Sequence, residues 1–442
     1  MAKIKHQYDG VVVGAGIAGM QAALDLAGQG FDVLLVEREP SIGGVMVGLN
    51  KVFPTLDCSS CICTPRMAEV AHHERVTLLT YTELKQIERN NEGSFTVTLI
   101  KKPRYVVEED CIGCSKCELA CQPLAPHEFD QGLGARAAIY IPHGNAIPQV
   151  AVLDPNYCIF DGNCAKVCPT NCIDFTQQPE EIKIEAGTVI LATGLKTTPI
   201  NAKKEYGGGR FVNVMHPLAM ERIQSSNGPY GHILRPSDGK IPRSVAYVQC
   251  AGSRDKSIGV PYCSRVCCMY ALKQGIMIKH ELHETEVTIY YMDIRAFGKG
   301  YEQFYRRALA EGVRVVKAKV ARITEVENND LVLRVELIDE GGRVADIRHD
   351  LVVLSLGLAP GWRPDGSALV ATDDDGFLSI QDIATRPARS SVEGIFVAGV
   401  ATGPKDIPDA IVEAGAAAME AAMYLDRTRG RQLAFAGAAE KA

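Results

Sequence analysis

The segment Val11-Val-Val-Gly14-Ala-Gly16-Ile-Ala18-Gly19 constrains the fold more than any other part of the chain. Three consecutive valines without an alternating polar face read as a strand buried on both sides, as in a parallel sheet. Glycines then follow at the spacing G-x-G-x-x-G. Ala22, Ala23, Leu26 and Ala27 recur at helical intervals and stop at Gly30, and a second apolar run, Val33 to Val36, ends in Glu37. Three glycines at this spacing are weak evidence alone. Between a strand and a helix, with an acid closing the next strand, they predict a β-α-β unit that holds a dinucleotide. Gly14 makes the tight turn, Gly16 lets the backbone approach a pyrophosphate, and Gly19 lets helix and strand pack closely. The helix start, with Ala18 in its first turn, offers free N–H groups to phosphate. Glu37 is placed to accept hydrogen bonds from an adenosine ribose.

Further segments point to FAD rather than NAD at this site. Glu37-Arg38-Glu39 is followed by Gly43-Gly44, a common continuation in two-dinucleotide flavoproteins. Thr188-Val-Ile-Leu-Ala-Thr193-Gly194 reads as the strand that closes the first half. Gly394-Ile-Phe-Val-Ala-Gly399 reads as a last strand, followed by a small-residue helix from about Asp409 to Leu425. The acid expected directly after that final glycine is replaced by Val400, and Asp406, next to Ile407, is the candidate substitute.

A second dinucleotide-type unit begins at Ser244 to Gln249, with a helix expected over Met269 to His280, a strand at Val287 to Tyr291, and closure at Leu351 to Gly357. Its turn reads Cys250-Ala-Gly-Ser-Arg254, without the glycine cradle a nicotinamide dinucleotide needs. No NAD(P)H site is expected on this chain.

Fifteen cysteines stand out. The number is odd, no secretory leader is recognisable ahead of the first strand, and the cytosol keeps thiols reduced, so a disulfide framework is not expected. A cytoplasmic location is. Cys111, Cys114, Cys117 and Cys121 have the spacing C-x2-C-x2-C-x3-C and precede Pro123. Three thiolates at these intervals wrap one cubane cluster, and the fourth usually reaches a second. Cys158, Cys164 and Cys168-Pro169 form the partner motif, with Asp161 where a second cysteine belongs and Cys172 four residues past Cys168. Crossed ligation groups Cys111, Cys114, Cys117 and Cys168 on one cluster, and Cys158, Cys164 and Cys121 on the other. Three completions of the second are open: Asp161 as an oxygen ligand, Cys172 swinging in, or a three-iron cluster. A four-iron cluster is favoured. A harder oxygen ligand would alter its potential and make one iron more labile.

Cys250, Cys263, Cys267 and Cys268 have the uncommon spacing C-x12-C-x3-C-C. On spacing alone a reduced structural set is the better explanation, but they replace the loop where an electron donor to a flavin sits. Cys58, Cys61 and Cys63 leave a cubane one ligand short, and a structural loop or a zinc site is as good a reading. The net charge of −6 gives no reason to expect nucleic acid. The apolar run Ala410 to Leu425 carries Glu413 and Glu420 and reads as a helix of the fold rather than a membrane insertion.

Phe53-Pro-Thr-Leu-Asp-Cys58, Gln249-Cys-Ala-Gly-Ser-Arg-Asp255, Tyr262-Cys-Ser-Arg-Val-Cys-Cys-Met-Tyr270, Asp293-Ile-Arg-Ala-Phe-Gly-Lys-Gly-Tyr301 and Gly403-Pro-Lys-Asp-Ile-Pro408 carry a family resemblance. Over about Gly10 to Leu425 the chain resembles the A-type, FAD and iron–sulfur subunits of heterodisulfide reductase and their bacterial relatives. The resemblance implies an FAD-containing electron hub in a larger redox complex, with ferredoxin or another low-potential carrier as a partner. It implies a cluster at Cys250, Cys263, Cys267 and Cys268 beside the flavin. It also implies that Lys273 tunes the flavin, since a nearby cation stabilises an anionic reduced form. Archaeal members carry an N-terminal cluster domain and a C-terminal ferredoxin module that this sequence does not include, and Asp161 interrupts the second cluster motif. The substrate chemistry belongs to other subunits. The expected architecture is an α/β, thioredoxin-reductase-like flavoprotein with two dinucleotide-binding domains and an inserted α+β ferredoxin-like two-cluster module. Its FAD domain comprises 1–105, 177–240 and 359–442, the insert 106–176, and the degenerate NAD-type domain 241–358. Electron bifurcation, a simple relay and a structural adaptor are the functions in contention. An independent disulfide reductase using Cys58 and Cys61 is the weakest alternative.

Overall fold

The computed structural model describes residues 4–90, 93–366 and 368–439. The valine run predicted as a strand extends over Gln7–Val13 and lies at the centre of a parallel arrangement. It pairs with Val33–Val36 on one side and with Glu180–Leu191 on the other. Val76–Leu79 and Ile395–Val397 extend the parallel set outward. Helices Ile17–Gly28 and Ile407–Ala439 pack against each other on one face of this sheet. Glycines permit the approach: a Cβ at Gly187 would stand 2.5 Å from Leu425, and one at Gly10 2.7 Å from Leu26. The last helix is longer than the sequence pattern suggested.

A second sheet repeats the theme. Its parallel strands are Val214–Met215, Leu351–Leu354, Ser244–Val248, Glu286–Tyr291 and Val313–Glu325, and Leu331–Leu337 and Arg343–His349 continue it antiparallel. Helix Cys267–Glu281 crosses between Ser244–Val248 and Glu286–Tyr291, and it begins two residues before the predicted start. Buried Met269, Leu272, Ile276 and Ile278 fix it to Val245, Tyr247 and Ile289.

Strand Phe95–Lys101 runs antiparallel to Glu180–Leu191, with Lys101 opposite Glu180. The chain therefore leaves and re-enters the first sheet at adjacent positions. Such a pair of ends accommodates a long insertion without disturbing the sheet. The intervening residues carry two five-residue helices, Lys116–Ala120 and Asn163–Val167, which pack together. Each follows a residue in the left-handed region, Ser115 and Gly162 respectively. Val106, Ile139, Val150 and Leu153 give this segment a small core of its own. It is tied to the rest at Arg222, whose Nε donates to Asp130 at 2.9 Å while its guanidinium lies over Phe129. His143 stacks on the same ring, and its burial pushes its pKa down to about 4.

Candidate functional site

The first glycine turn is closed on every side but one. Gly14 adopts φ +100°, and a Cβ there would meet the Ala192 carbonyl oxygen at 2.3 Å. A Cβ at Gly19 would meet the Gly14 oxygen at 1.7 Å. Gly43 N donates to Ala15 O at 2.9 Å, and Gly44 sits against Gly16. Gly399, at φ +68°, is pressed on the methyl of Ala18. Above Gly16, by contrast, no protein atom lies within 4 Å of a built Cβ. The open room adjoins the start of helix Ile17–Gly28, which has no side-chain cap. The Glu37 carboxylate accepts from Ala15 N at 2.7 Å and Glu39 N at 3.0 Å. Burial raises its pKa, and these two bonds oppose the rise. Each oxygen keeps a lone pair for a ribose hydroxyl.

Two buried polar atoms have no partner: Thr193 Oγ1, beside this turn and just before Gly194, and Asn50 Nδ2, on a residue whose backbone N–H donates to Glu221. Buried polar groups are nearly always paired, so such orphans mark where a ligand belongs. Open space over Gly16, uncapped N–H groups, the Glu37 acceptor and the unpartnered Thr193 hydroxyl fit an FAD. Arg38 donates to Gly361 O at 3.0 Å, joining the last part of the chain to the second strand. Asp406 does something other than expected. Its Oδ1 accepts from Asp409 N at 3.0 Å, and its Oδ2 accepts from the Tyr301 hydroxyl at 2.5 Å. It caps the last helix, which Ile407 opens, and ties it to the second half.

Lys273 is buried and paired with Glu221, and its Nζ also donates to Lys51 O at 2.9 Å. Glu221 further accepts from Asn50 N at 3.0 Å and from Gln274. Burial lowers the Lys273 pKa while Glu221 pulls it back. The lysine is thus the cation of a buried pair.

In the second half the corresponding turn is filled by protein. Cys250 takes φ 57°, and a Cβ at Gly252 would lie 2.0 Å from Thr198 Oγ1. Cys250, Cys263, Cys267 and Cys268 come together here, close enough that Cys267 and Cys268 each feel the other two. Burial pushes Cys268 up to about 11 and Cys267 higher still. Arg254 offsets part of the same effect on Cys250, reaching its Sγ at 4.0 Å while paired with Asp293. Arg265 N donates to Cys263 Sγ at 3.4 Å. Gln249 is buried with neither amide atom partnered. Asn50, Gln249, Arg254 and Asp293 are candidate site residues beyond those singled out as ligands. A cation six residues past the strand end, in the turn that carries Cys250, was the available signal for Arg254.

The inserted segment holds two hollows. Cys111, Cys114, Cys117, Cys168 and Cys172 line the first. Cys121, Cys158, Asp161 and Cys164 line the second, with Ile159 and Phe175. Cys168 thus shares a hollow with Cys111, Cys114 and Cys117, and Cys121 shares one with Cys158 and Cys164, while Cys172 joins the first. Phe160 N donates to Cys158 Sγ at 3.3 Å, a bond that suits a thiolate ligand. One alternative is corrected: Cys172 does not approach the second hollow. The turn through Asn171, at φ 53°, folds it back so that its Sγ lies 3.4 Å from that of Cys168. Asp161 does line the second hollow, and its carboxylate accepts from Asn163 N at 3.1 Å and Asn163 Nδ2 at 2.6 Å. Cys58 and Cys61 are joined as a disulfide, which departs from the reduced set expected, and Cys63 is buried beside Gly43 O. Among the described residues, no three His, Cys, Asp or Glu side chains converge closely enough to hold a single metal ion. Among them too, no helix is long and apolar enough to cross a membrane.

Two packed dinucleotide-type sheets, with a glycine cradle on one and a cysteine turn on the other, define a flavoprotein of the two-domain disulfide-reductase class. The model of the pyridine nucleotide-disulphide oxidoreductase family matches residues 8–418, and the chain belongs to that family of oxidoreductases. Within it, the chain is similar to the A subunits of heterodisulfide reductases. It is 48% identical over 418 residues to the iron-sulfur A subunit of the CoB–CoM heterodisulfide reductase of Methanocaldococcus jannaschii, covering 92% of this chain and 63% of that one. It is 45% identical over 431 residues to the A subunit of the H(2):CoB-CoM heterodisulfide,ferredoxin reductase of Methanothermobacter marburgensis, covering 96% and 64%. The chain therefore spans less than two thirds of the length of these relatives. Thioredoxin reductase from T. acidophilum shares the fold at a TM-score of 0.53 and 15% identity, covering 95% of this chain and 99% of that one.

Proposed function

We propose that this chain is an FAD- and [4Fe-4S]-containing electron-transfer subunit of a heterodisulfide-reductase-like complex. The observation that carries the reading is the sorting of the cysteines. Eight motif cysteines and Asp161 line two hollows, and four more gather at the second turn, in a chain whose first turn suits FAD. Bound there, the flavin would accept an electron pair and pass electrons singly to clusters. In this reading Gly14, Gly16, Ala18, Gly19, Glu37, Gly43, Gly44, Thr193, Gly194 and Gly399 would hold it. Cys111, Cys114, Cys117 and Cys168 would hold one cluster, Cys121, Cys158, Asp161 and Cys164 a second, and Cys250, Cys263, Cys267 and Cys268 a third. The insert in this reading is a ferredoxin-like module.

The finer reading is electron bifurcation, in which one electron of each pair goes to a low-potential, ferredoxin-type carrier and one elsewhere. The name of the Methanothermobacter relative couples a heterodisulfide with ferredoxin, which supports two destinations for electrons. An anaerobic redox titration followed by EPR tests it. Crossed one-electron potentials leave no flavin radical signal at any potential. A radical stable over a wide potential range replaces bifurcation with a simple relay. With the second turn occupied by cysteines, NADH and NADPH are expected not to reduce the flavin of the isolated chain at catalytic rates, and rapid bleaching of the flavin band by either refutes this.

A further inference from the structure

The first hollow has one thiol too many. A four-iron cube has four irons and takes four protein ligands. Five cysteines line the hollow, while the second has three cysteines and an aspartate. The surplus lies in one place, the pair Cys168 and Cys172, whose sulfurs are 3.4 Å apart. Ligands on different irons of a cube diverge from its corners, so two sulfurs in van der Waals contact serve one iron between them.

The two thiols are held differently. Cys168 follows helix Asn163–Val167 and is partly exposed, with Thr170 Oγ1 at 3.7 Å. Cys172 is buried in the small core of the insert. Its carbonyl accepts from Val107 N at 2.7 Å, and the neighbouring Ile173 bridges to Val106. Cys172 thus stands behind Cys168 on a fixed support. The turn Cys168-Pro169-Thr170-Asn171-Cys172 brings both to the same corner.

We infer that Cys172 is a reserve ligand of the first cluster, able to take over the iron that Cys168 holds. This rests on the reading of the hollow as a four-iron site. Either thiolate would complete the four-ligand set at that corner, and an exchange would be redox-neutral, the incoming thiol giving up its proton to the outgoing sulfur. The more exposed thiol would then be replaceable without loss of the cluster.

The test uses the full chain, purified anaerobically, as wild type, Cys168→Ala, Cys172→Ala, the double variant and Cys117→Ala. Iron and sulfide per chain are measured, together with the EPR spectrum after dithionite reduction. Cys168→Ala is expected to keep the iron content of the wild type and to shift the g-values of one cluster. Cys172→Ala is expected to change neither. The double variant is expected to lose about four irons per chain, as Cys117→Ala does. The inference is overturned if Cys168→Ala loses as much iron as the double variant, or if Cys172→Ala alone abolishes the cluster. Cys172→Val, which keeps the core filled, repeats the measurement should alanine loosen the insert. A wild-type chain lacking four-iron signals from the insert would remove the underlying cluster reading instead.

Discussion

The two dinucleotide-type halves share a frame and differ at one turn. In the first, strand Gln7–Val13 passes into helix Ile17–Gly28 through Gly14, Ala15 and Gly16 alone. In the second, strand Ser244–Val248 is separated from helix Cys267–Glu281 by residues 249–266. That longer connection folds back on itself through the bridge between Asp255 and Val260. It fills the helix start with protein, where the first half leaves room above Gly16. The lesson is that apolar runs specify the frame, while the length and chemistry of one turn specify the ligand. Backbone N–H groups and open space suit phosphate. Grouped soft thiols suit iron.

The first change breaks the first turn. Gly14→Val places a side chain against the Ala192 carbonyl at a left-handed φ, and should cost ~3 kcal/mol or more through overpacking and strain. The purified protein should lack flavin absorbance. Gly16→Val meets open space, so the protein should fold yet bind FAD at least tenfold more weakly by fluorescence titration. Equal stability losses in the two variants would show that the room above Gly16 is not a ligand site.

The complementary change is in the second turn. Cys267→Ala should remove about four irons per chain while leaving the FAD content intact. If iron is unchanged, the four thiols are a structural set, and the contrast between the halves reduces to a lost nicotinamide cradle.

Much of this contrast was legible in the sequence because it is local. Glycine spacing, apolar runs and cysteine intervals are read within a few residues, and they located both frames and the crossed grouping of Cys111, Cys114 and Cys117 with Cys168. What was not legible depends on distant neighbours. Nothing near Lys273 announces Glu221, which lies on a different helix. The side on which Cys172 falls was decided by a single left-handed residue, Asn171. Asp406 resembled a cofactor contact by position, yet Tyr301, more than a hundred residues earlier, engages it.

The Lys273–Glu221 pair allows a sharper test of that distant coupling. Lys273→Met leaves Glu221 buried without its cation, which should cost about 3–5 kcal/mol in denaturant unfolding. Glu221→Gln added to it should restore most of that loss, because the remaining buried charge is gone. If the single variant shifts the flavin potential without a change in stability, Lys273 acts on the flavin as the resemblance implied.

The smallest effect is pH dependence, and it separates the halves by their histidines. His349 is buried between Ser244 and Tyr290 in the second sheet, and His216 between Thr197 and the backbone of Leu218. Burial lowers both to about 4. Unfolded, each would titrate near 6.5, so below that value the unfolded chain binds more protons than the folded one. Stability from these groups is therefore complete above about pH 6.5 and falls as the pH drops toward 4. By pH 5.5 each should have lost about 1 kcal/mol. Hydrogen-exchange protection, corrected for the slower intrinsic exchange at lower pH, should accordingly fall along Ser244–Val248 and Arg343–His349 between pH 7 and 5.5. Trp362, the single tryptophan, packs against the core of the first sheet, and its fluorescence should stay constant over the same range. Acid-driven change in Trp362 in step with the second sheet would mean that the halves unfold as one unit, and that the turn separates their chemistry without separating their stability.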